Sequence, residues 1–355
     1  MIEFLSAFIG VFLITTLLTP ICSRIGLVDK PDKRKSHNDD VPLIGGLAMF
    51  ASCSLAALFF VPHSSEMTYL LAACGLLVMT GSIDDRFNLH YYIRLVIQAL
   101  AAIMLIWGAQ NKLVSFGYVY GIGELTLGWL AIPITIIGII GIINAYNMID
   151  GIDGLSGGIT LISVIGLYLL ITDSIADGAN SILLLLIGAL AAYLIMNLHF
   201  LPKWTPKIFM GDAGSMVLGF IMASFLIRYS QGTKQIIMPV TALWLTAVPL
   251  MDIFVTTIRR IRHKRNPLHP DRTHVHYIFM RAGFKQETTL LIILTFQTIA
   301  VACGLALEVY GSSTLSFFAF GLLFLVYLQF ISHAFKVARF IRRYKKRKAT
   351  TREDS

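Results

Sequence analysis

The chain has 355 residues, 56% of them apolar and only 14% charged, with a mean hydropathy of +0.73 and a formal net charge of +9. A soluble domain carries about 25% charged residues, so this composition excludes a soluble enzyme with a polar shell, a disordered chain and a fibrous one. An all-α polytopic membrane protein remains.

A helix needs about 20 mainly apolar residues to cross the hydrocarbon core. Such runs recur at 3–22, 43–61, 68–83, 92–108, 129–146, 157–172, 181–199, 213–229, 237–257, 288–308 and 313–335, which predicts eleven spans. The first is not a cleavable signal peptide, because its positive charges follow the apolar run instead of preceding it. The positive-inside rule orients the chain with a periplasmic N-terminus and a cytoplasmic C-terminus. Cytoplasmic loops then fall at 23–42, 84–91, 147–156, 200–212 and 258–287. With the span ends and the tail, they hold 26 of the 29 Lys and Arg residues, leaving only Lys112, Arg228 and Lys234 outside. The expected division is a transmembrane catalytic domain over 1–335 and a basic cytoplasmic tail over 336–355. The tail, with Lys345-Lys346-Arg347-Lys348, suits a topology anchor or anionic membrane lipids. It has no nucleic-acid-binding module beside it, so nucleic acid is not an expected partner. Cys22, Cys53, Cys74 and Cys303 are isolated and read as small buried hydrophobes.

Ionisable groups in or beside membrane spans are costly and mark function by default. Here they gather in five clusters on the inner side. Lys30-Pro-Asp-Lys-Arg-Lys-Ser-His37, followed by Pro42-Leu-Ile-Gly-Gly46, fits phosphate contacts or simply a positive-inside loop. Asp84-Asp85 are adjacent carboxylates whose repulsion a divalent cation or a shared proton would relieve, unless they form a solvated turn. Asn144, Asn147, Asp150 and Asp153 recur every three residues, along one face of a helix or tight turn. Their oxygens suit a hard cation such as magnesium, or hydrogen bonds to a nucleotide base and sugar. Phe209-Met-Gly-Asp212-Ala-Gly-Ser215 opens the next span, where Asp212 and Ser215 offer oxygen ligands or a helix cap. The loop 258–287 carries Arg259, Arg260, Arg262, Lys264, Arg265, Arg272, His274 and His276, better suited to phosphate than to a soft metal. Asp252, seven residues before Arg259, is a site carboxylate or a structural partner, and the second reading is favoured. Together the clusters are the equipment of phosphoryl transfer at a bilayer edge.

The acidic pair, the Asn-x-x-Asn-x-x-Asp-Gly-x-Asp-Gly stripe over 144–154, Met210-Gly-Asp212 with Ser215, and the His-containing loop resemble the polyprenyl-phosphate N-acetylhexosamine-1-phosphate transferase superfamily. The likeness is greatest to its enterobacterial-type branch that uses UDP-N-acetylglucosamine. It extends through Val28-Asp-Lys-Pro31, Asp84-Asp-Arg-Phe87, Pro239-Val-Thr-Ala-Leu-Trp244, Pro249-Leu-Met-Asp252, Met280-Arg-Ala-Gly-Phe284 and Lys336-Val-Ala-Arg339. The resemblance implies transfer of N-acetylglucosamine 1-phosphate from UDP-N-acetylglucosamine to undecaprenyl phosphate, with release of UMP. It places the activity on the cytoplasmic face of the bacterial inner membrane, at the start of O-antigen or enterobacterial common antigen synthesis, and implies sensitivity to tunicamycin. Mg²⁺ is the implied cofactor, with Mn²⁺ as the alternative.

By the same resemblance Asp212 is the metal-binding Asp, and Asn147 lies near metal and pyrophosphate. Asp84 and Asp85 deprotonate or orient the acceptor phosphate. Asp150 and Asp153 contact the nucleotide, with Asp153 near the uracil, and Phe209 packs on the base. Arg272 and His274 meet the donor phosphates or sugar. Lys33, Lys35, Arg260, Asn144 and His276 complete the expected substrate-binding set. This chain departs from relatives at Tyr277, where another His is common, and at Asn88. The competing functions are the phospho-MurNAc-pentapeptide transferase of peptidoglycan synthesis, whose His cluster is fuller, and a proton-coupled transporter. The sequence leaves a homodimer open.

Overall fold

In the computed structural model, the residues described are 1–29, 40–171, 178–201, 205–264 and 274–353, with side chains up to His333. Lys33, Lys35, Arg272 and the side chains of the basic tail lie outside them. Each of the eleven apolar runs falls on helix. They are α1 (Ile2–Ile25), α2 (Gly45–Phe60), α3 (Ser65–Phe87), α4 (Tyr91–Ile103), α5 (Ala131–Ile149), α6 (Leu155–Ile171), α7 (Ala179–Asn197), α8 (Gly211–Ser230), the pair α9 (Pro239–Leu245) and α10 (Ala247–Arg262), then, after the short α11 (Val275–Arg281), α12 (Gln286–Tyr310) and α13 (Ser313–Glu353). Among the described residues, eight helical stretches are long and apolar enough to cross a membrane. The pair α9–α10 would make a ninth span, bent by 86°. The remaining two, α2 and α6, are apolar but have 16 and 17 residues.

The helices exceed the sequence-expected boundaries at the polar end. Asp84, Asp85, Asn147 and Asp212 lie in terminal helical turns, not in loops. The expected loop 258–287 begins inside α10 and contains α11. Two short antiparallel ribbons also interrupt the all-α plan: β1 (Val28–Asp29) with β2 (Val41–Pro42), and β3 (Ser115–Val119) with β4 (Gly123–Thr126). Strands this short carry no periodicity for a sequence pattern to reveal. Cys303 is exposed on α12, against the expectation of burial, while Cys22 and Cys74 are buried.

Helix α8 is the hub. Its most apolar stretch is 89% buried, against 17% for α1 at the periphery. Small residues permit that burial by letting backbones approach. A Cβ on Gly46 of α2 would lie 2.2 Å from Gly214 of α8, and one on Gly81 of α3 would lie 2.3 Å from Ala213. On the opposite flank, Gly219 faces the α5 backbone at Ile143. The periphery is apolar: Leu5, Ile9, Leu13 and Leu17 of α1 recur every fourth residue and are all exposed.

The apolar run 237–257 breaks at Thr246, before Pro249 in the first turn of α10. A break at membrane depth is tolerated where neighbouring side chains satisfy the freed backbone. Here Gln297 of α12 does so, accepting from Val248 N at 3.0 Å and donating to the Leu245 carbonyl at 2.9 Å. Ser163 of α6 donates to the same carbonyl at 2.6 Å.

The glycine contacts predict a contrast. Gly81→Ala should overpack α3 against α8 and cost on the order of 1–3 kcal/mol, read as a lower melting temperature in detergent. Gly141→Ala on α5, which has open space at its Cβ position, should leave melting unchanged or raise it slightly.

Candidate active site

The carboxylates singled out in the sequence come from the C-terminal end of α3, the C-terminal end of α5 with the turn that follows, and the N-terminal end of α8. The contacts among them place these elements together. Asp84 is buried in the last turn of α3, where its Oδ1 accepts from Leu89 N at 2.6 Å. Its Oδ2 accepts from Arg94 Nη1 of α4 at 2.8 Å. Asn88 closes α3 in the left-handed region, with φ 51°, and donates its backbone N–H to the Asp84 carbonyl. Asn tolerates that conformation better than most residues with a side chain.

Asp85 points to α8. Its carboxylate accepts from Asp212 N at 2.8 Å and Ala213 N at 3.4 Å, capping the helix where its dipole favours negative charge. Gly211 leads into this cap with φ 71°, and a Cβ there would lie 2.5 Å from Asp85 Oδ2. Asp212 Oδ1 in turn accepts from Asn147 Nδ2 at 2.8 Å, and its Oδ2 from Arg94 at 3.2 Å. Arg94 thus joins Asp84 to Asp212. Asn147 Nδ2 also reaches Ser215 Oγ at 3.0 Å.

Asp150 follows the last residue of α5 and has no hydrogen-bond partner among the described residues. Desolvation, then the like charges of Asp212, Asp85 and Asp153, push its carboxyl up to about 8. Asp153 pairs with Lys207 at 2.7 Å, and Lys207 also lies 5.4 Å from the Phe209 ring centroid. Phe209 is further held by its backbone, which accepts from Gly45 N and donates to the Pro42 carbonyl. The turn itself is fixed from α7, where Asn197 Oδ1 accepts from Gly154 N at 2.6 Å.

The His-containing segment closes over this turn. A Cβ on Gly151 would lie 2.1 Å from His276 Nε2, so the glycine admits the imidazole against the backbone. His276 is fully buried and neither ring nitrogen has a partner among the described residues; burial pushes its imidazole down to about 4. The His274 ring lies parallel to it, within 9° at 6.2 Å. His274 Nδ1 is 2.7 Å from Asp252 Oδ2. Arg260 is buried at the end of α10.

Two sequence expectations shift. Asn144, expected among the substrate-binding residues, sits one turn deeper than Asn147 and donates to Gln98 Oε1 at 2.7 Å and to the Ile140 carbonyl. It ties α5 to α4, and its amide hydrogens are spent within the bundle. Asp84 and Asp85, expected as catalytic groups, have both carboxylate oxygens engaged. Arg94 and Lys207 were not singled out. Arg94 could have been found as the lone charge in the run 92–108. Lys207 carried no signal beyond an ordinary positive-inside charge.

Among the described residues, no three His, Cys, Asp or Glu side chains are arranged to hold a metal by themselves. Mg²⁺ asks for less, commonly one or two carboxylates with substrate phosphates and water. Asp212 with the carboxamide of Asn147, beside an uncommitted Asp150 strained by neighbouring negative charge, fits that donor set.

Comparison with known proteins gives the family. The model of glycosyl transferase family 4 matches residues 67–230, which include Asp84, Asp85, Asn147, Asp150, Asp153 and Asp212. Proteins named undecaprenyl-phosphate alpha-N-acetylglucosaminyl 1-phosphate transferase align over nearly the whole chain. That of Salmonella typhimurium is 38% identical, covering 99% of this chain and 97% of its own. That of Haemophilus influenzae is 38% identical, covering 98% of each. That of Escherichia coli K12 is 36% identical, covering 96% of this chain and 94% of its own.

Two outcomes follow from the charges. Arg94→Ala leaves buried Asp84 without its cation and should destabilise the protein by on the order of 3 kcal/mol; Arg94→Ala with Asp84→Asn should recover part of that loss in thermal melts. For Asp150, the folded protein retains a proton that the unfolded chain releases near its ordinary value of 3.8. Without divalent cations, stability should therefore fall as pH rises from about 4 to about 8. Asp150→Asn should reduce that dependence without abolishing it.

Proposed function

The chain belongs to glycosyl transferase family 4, and from that premise we propose that it transfers N-acetylglucosamine 1-phosphate from UDP-N-acetylglucosamine to undecaprenyl phosphate, releasing UMP. The observation that carries the proposal is the gathering of Asp84, Asp85, Asp150, Asp153 and Asp212, with Arg94 and Lys207, at one end of an apolar bundle. A soluble nucleotide-sugar and a lipid phosphate can meet there. The relatives' shared name supports the substrate pair. It also disfavours the phospho-MurNAc-pentapeptide reaction. A proton-coupled transporter would hold its carboxylates near the membrane midplane, whereas these occupy helix ends.

All eleven runs cross the membrane in this proposal, with the N-terminus periplasmic and the polar end facing the cytoplasm at the bacterial inner membrane. The charge distribution supports that orientation. Asp212 and Asn147 would hold Mg²⁺, or Mn²⁺, which when bound neutralises the donor pyrophosphate and stabilises the departing UMP. Asp85 presents the α8 N-terminus, and Arg94 holds Asp84 and Asp212 at a fixed separation. Asp150, with a proton affinity close to neutrality, accepts the proton of the acceptor phosphate, as suits a general base. Asp153, Lys207 and Phe209 receive the uridine, and His274 the donor phosphates. The acceptor phosphate attacks the donor β-phosphorus directly.

The test is formation of labelled lipid from UDP-N-acetylglucosamine and undecaprenyl phosphate by the purified protein, with and without EDTA. Product that needs both the acceptor and a divalent cation is expected; none under metal-replete conditions overturns the proposal. Asp212→Ala should lower turnover at least about a hundredfold, and near-normal turnover would remove Asp212 from the site. Exchange of labelled UMP into the donor without acceptor would replace direct attack by a two-step route.

A further inference from the structure

Asp252 lies 22 residues before His274 in the chain, on α10, and its sequence position favours a structural partner over a site carboxylate. In the folded protein it is 3% exposed and its carboxylate has three contacts. Oδ2 meets His274 Nδ1 at 2.7 Å. Oδ1 accepts from Val275 N at 2.9 Å and from Tyr327 OH of α13 at 3.3 Å. A carboxylate only accepts, so Nδ1 carries the proton in this pair and Nε2 is the ring atom left for other work.

The surroundings reinforce that bias. Val275 and Tyr327 also wall an apolar cavity of about 280 Å³ between α10, α11, α12 and α13, completed by Phe279, Phe296 and Phe330. Its lining offers Asp252 no alternative polar partner. The other side of α11 places His276 against Gly151, in the turn that bears Asp150 and Asp153. Among the described residues, the titratable groups around His274 are therefore Asp252 on α10, Tyr327 on α13 and His276 on α11 itself.

We propose that Asp252 is a positioning residue for the transfer reaction, holding the proton of His274 on Nδ1 so that Nε2 is the atom turned to the donor phosphates. This rests on the transferase activity proposed above. Asp252 does not touch substrate and acts only through the imidazole, as the buried carboxylate of a hydrolytic triad fixes its histidine's tautomer.

A double-mutant cycle tests the coupling. Asp252→Asn and His274→Ala should each lower kcat by roughly ten- to a hundredfold. The double variant should be no slower than His274→Ala, within about twofold. Multiplying losses would overturn the proposal, because Asp252 would then act independently of His274. Loss of the Val275 and Tyr327 contacts could unfold Asp252→Asn, so a second measurement uses the wild-type side chains. Nitrogen-15 NMR of the histidine-labelled full chain, with the His274 signal assigned by its disappearance in His274→Ala, should show the proton on Nδ1. A neutral ring protonated on Nε2 alone overturns the proposal. Since the ring's proton is read whether or not lipid product forms, failure of this inference is distinguishable from failure of the proposed activity.

Discussion

Five carboxylates brought to one end of an apolar bundle repel one another and resist leaving water, and the structure is organised around the ways that cost is met. Asp84 takes a guanidinium and a backbone amide. Asp85 takes the opening amides of α8, where the helix dipole adds to the hydrogen bonds. Asp153 takes Lys207. Asp212 shares Arg94 with Asp84 and adds the Asn147 carboxamide. Asp150 has no partner among the described residues, and burial with the neighbouring negative charges raises its proton affinity. The site thus leaves at Asp150 a carboxyl that no side chain answers among the described residues, where a bound proton or cation can do so.

This arrangement requires the start of α8 to be placed within a fraction of an ångström, because Asp85 caps the same residue whose side chain meets Arg94 and Asn147. Close backbone packing supplies that precision. Gly46 and Gly81 press α2 and α3 onto Gly214 and Ala213, immediately after Asp212. Any side chain at either glycine would move the cap away from the carboxylate. Deeper in the bundle, Gln98 and Asn144 join α4 to α5, so Arg94 and Asn147 approach Asp212 from helices that are themselves tied together.

Much of the helical plan was legible because lipid enforces it: a span must be long and apolar, and every helix from α1 to α13 except the short α11 falls on an apolar run. The site carboxylates were legible for the complementary reason, since charge beside a span is rarely without purpose. Their partners were less so. Arg94 sits inside an apolar run and counts there as an interruption. Asn144 keeps the three-residue spacing of Asn147 and Asp150, yet helical rotation and one turn of depth direct it to Gln98. The bend at Thr246 depends on Gln297, about fifty residues later. Asp252 sits seven residues before Arg259, but its partner is His274 on the far side of the next segment. In each case the decisive contact is tertiary and leaves no local pattern.

The same commitments bear on the chemistry. A two-step route through a phosphorylated aspartate would require Asp84 or Asp85 as nucleophile. An attacking Asp84 oxygen must first give up Arg94 or Leu89 N, leaving a buried cation or amide unpaired. An attacking Asp85 oxygen must release the α8 cap, and α8 carries Asp212, the proposed metal ligand. The nucleophile would dismantle the site at the moment the leaving group needs it. Direct attack by the acceptor phosphate makes no such demand. In the proposed route Asp84 and Asp85 would stay as they stand, fixing helices and charges, and proton movement would fall to Asp150.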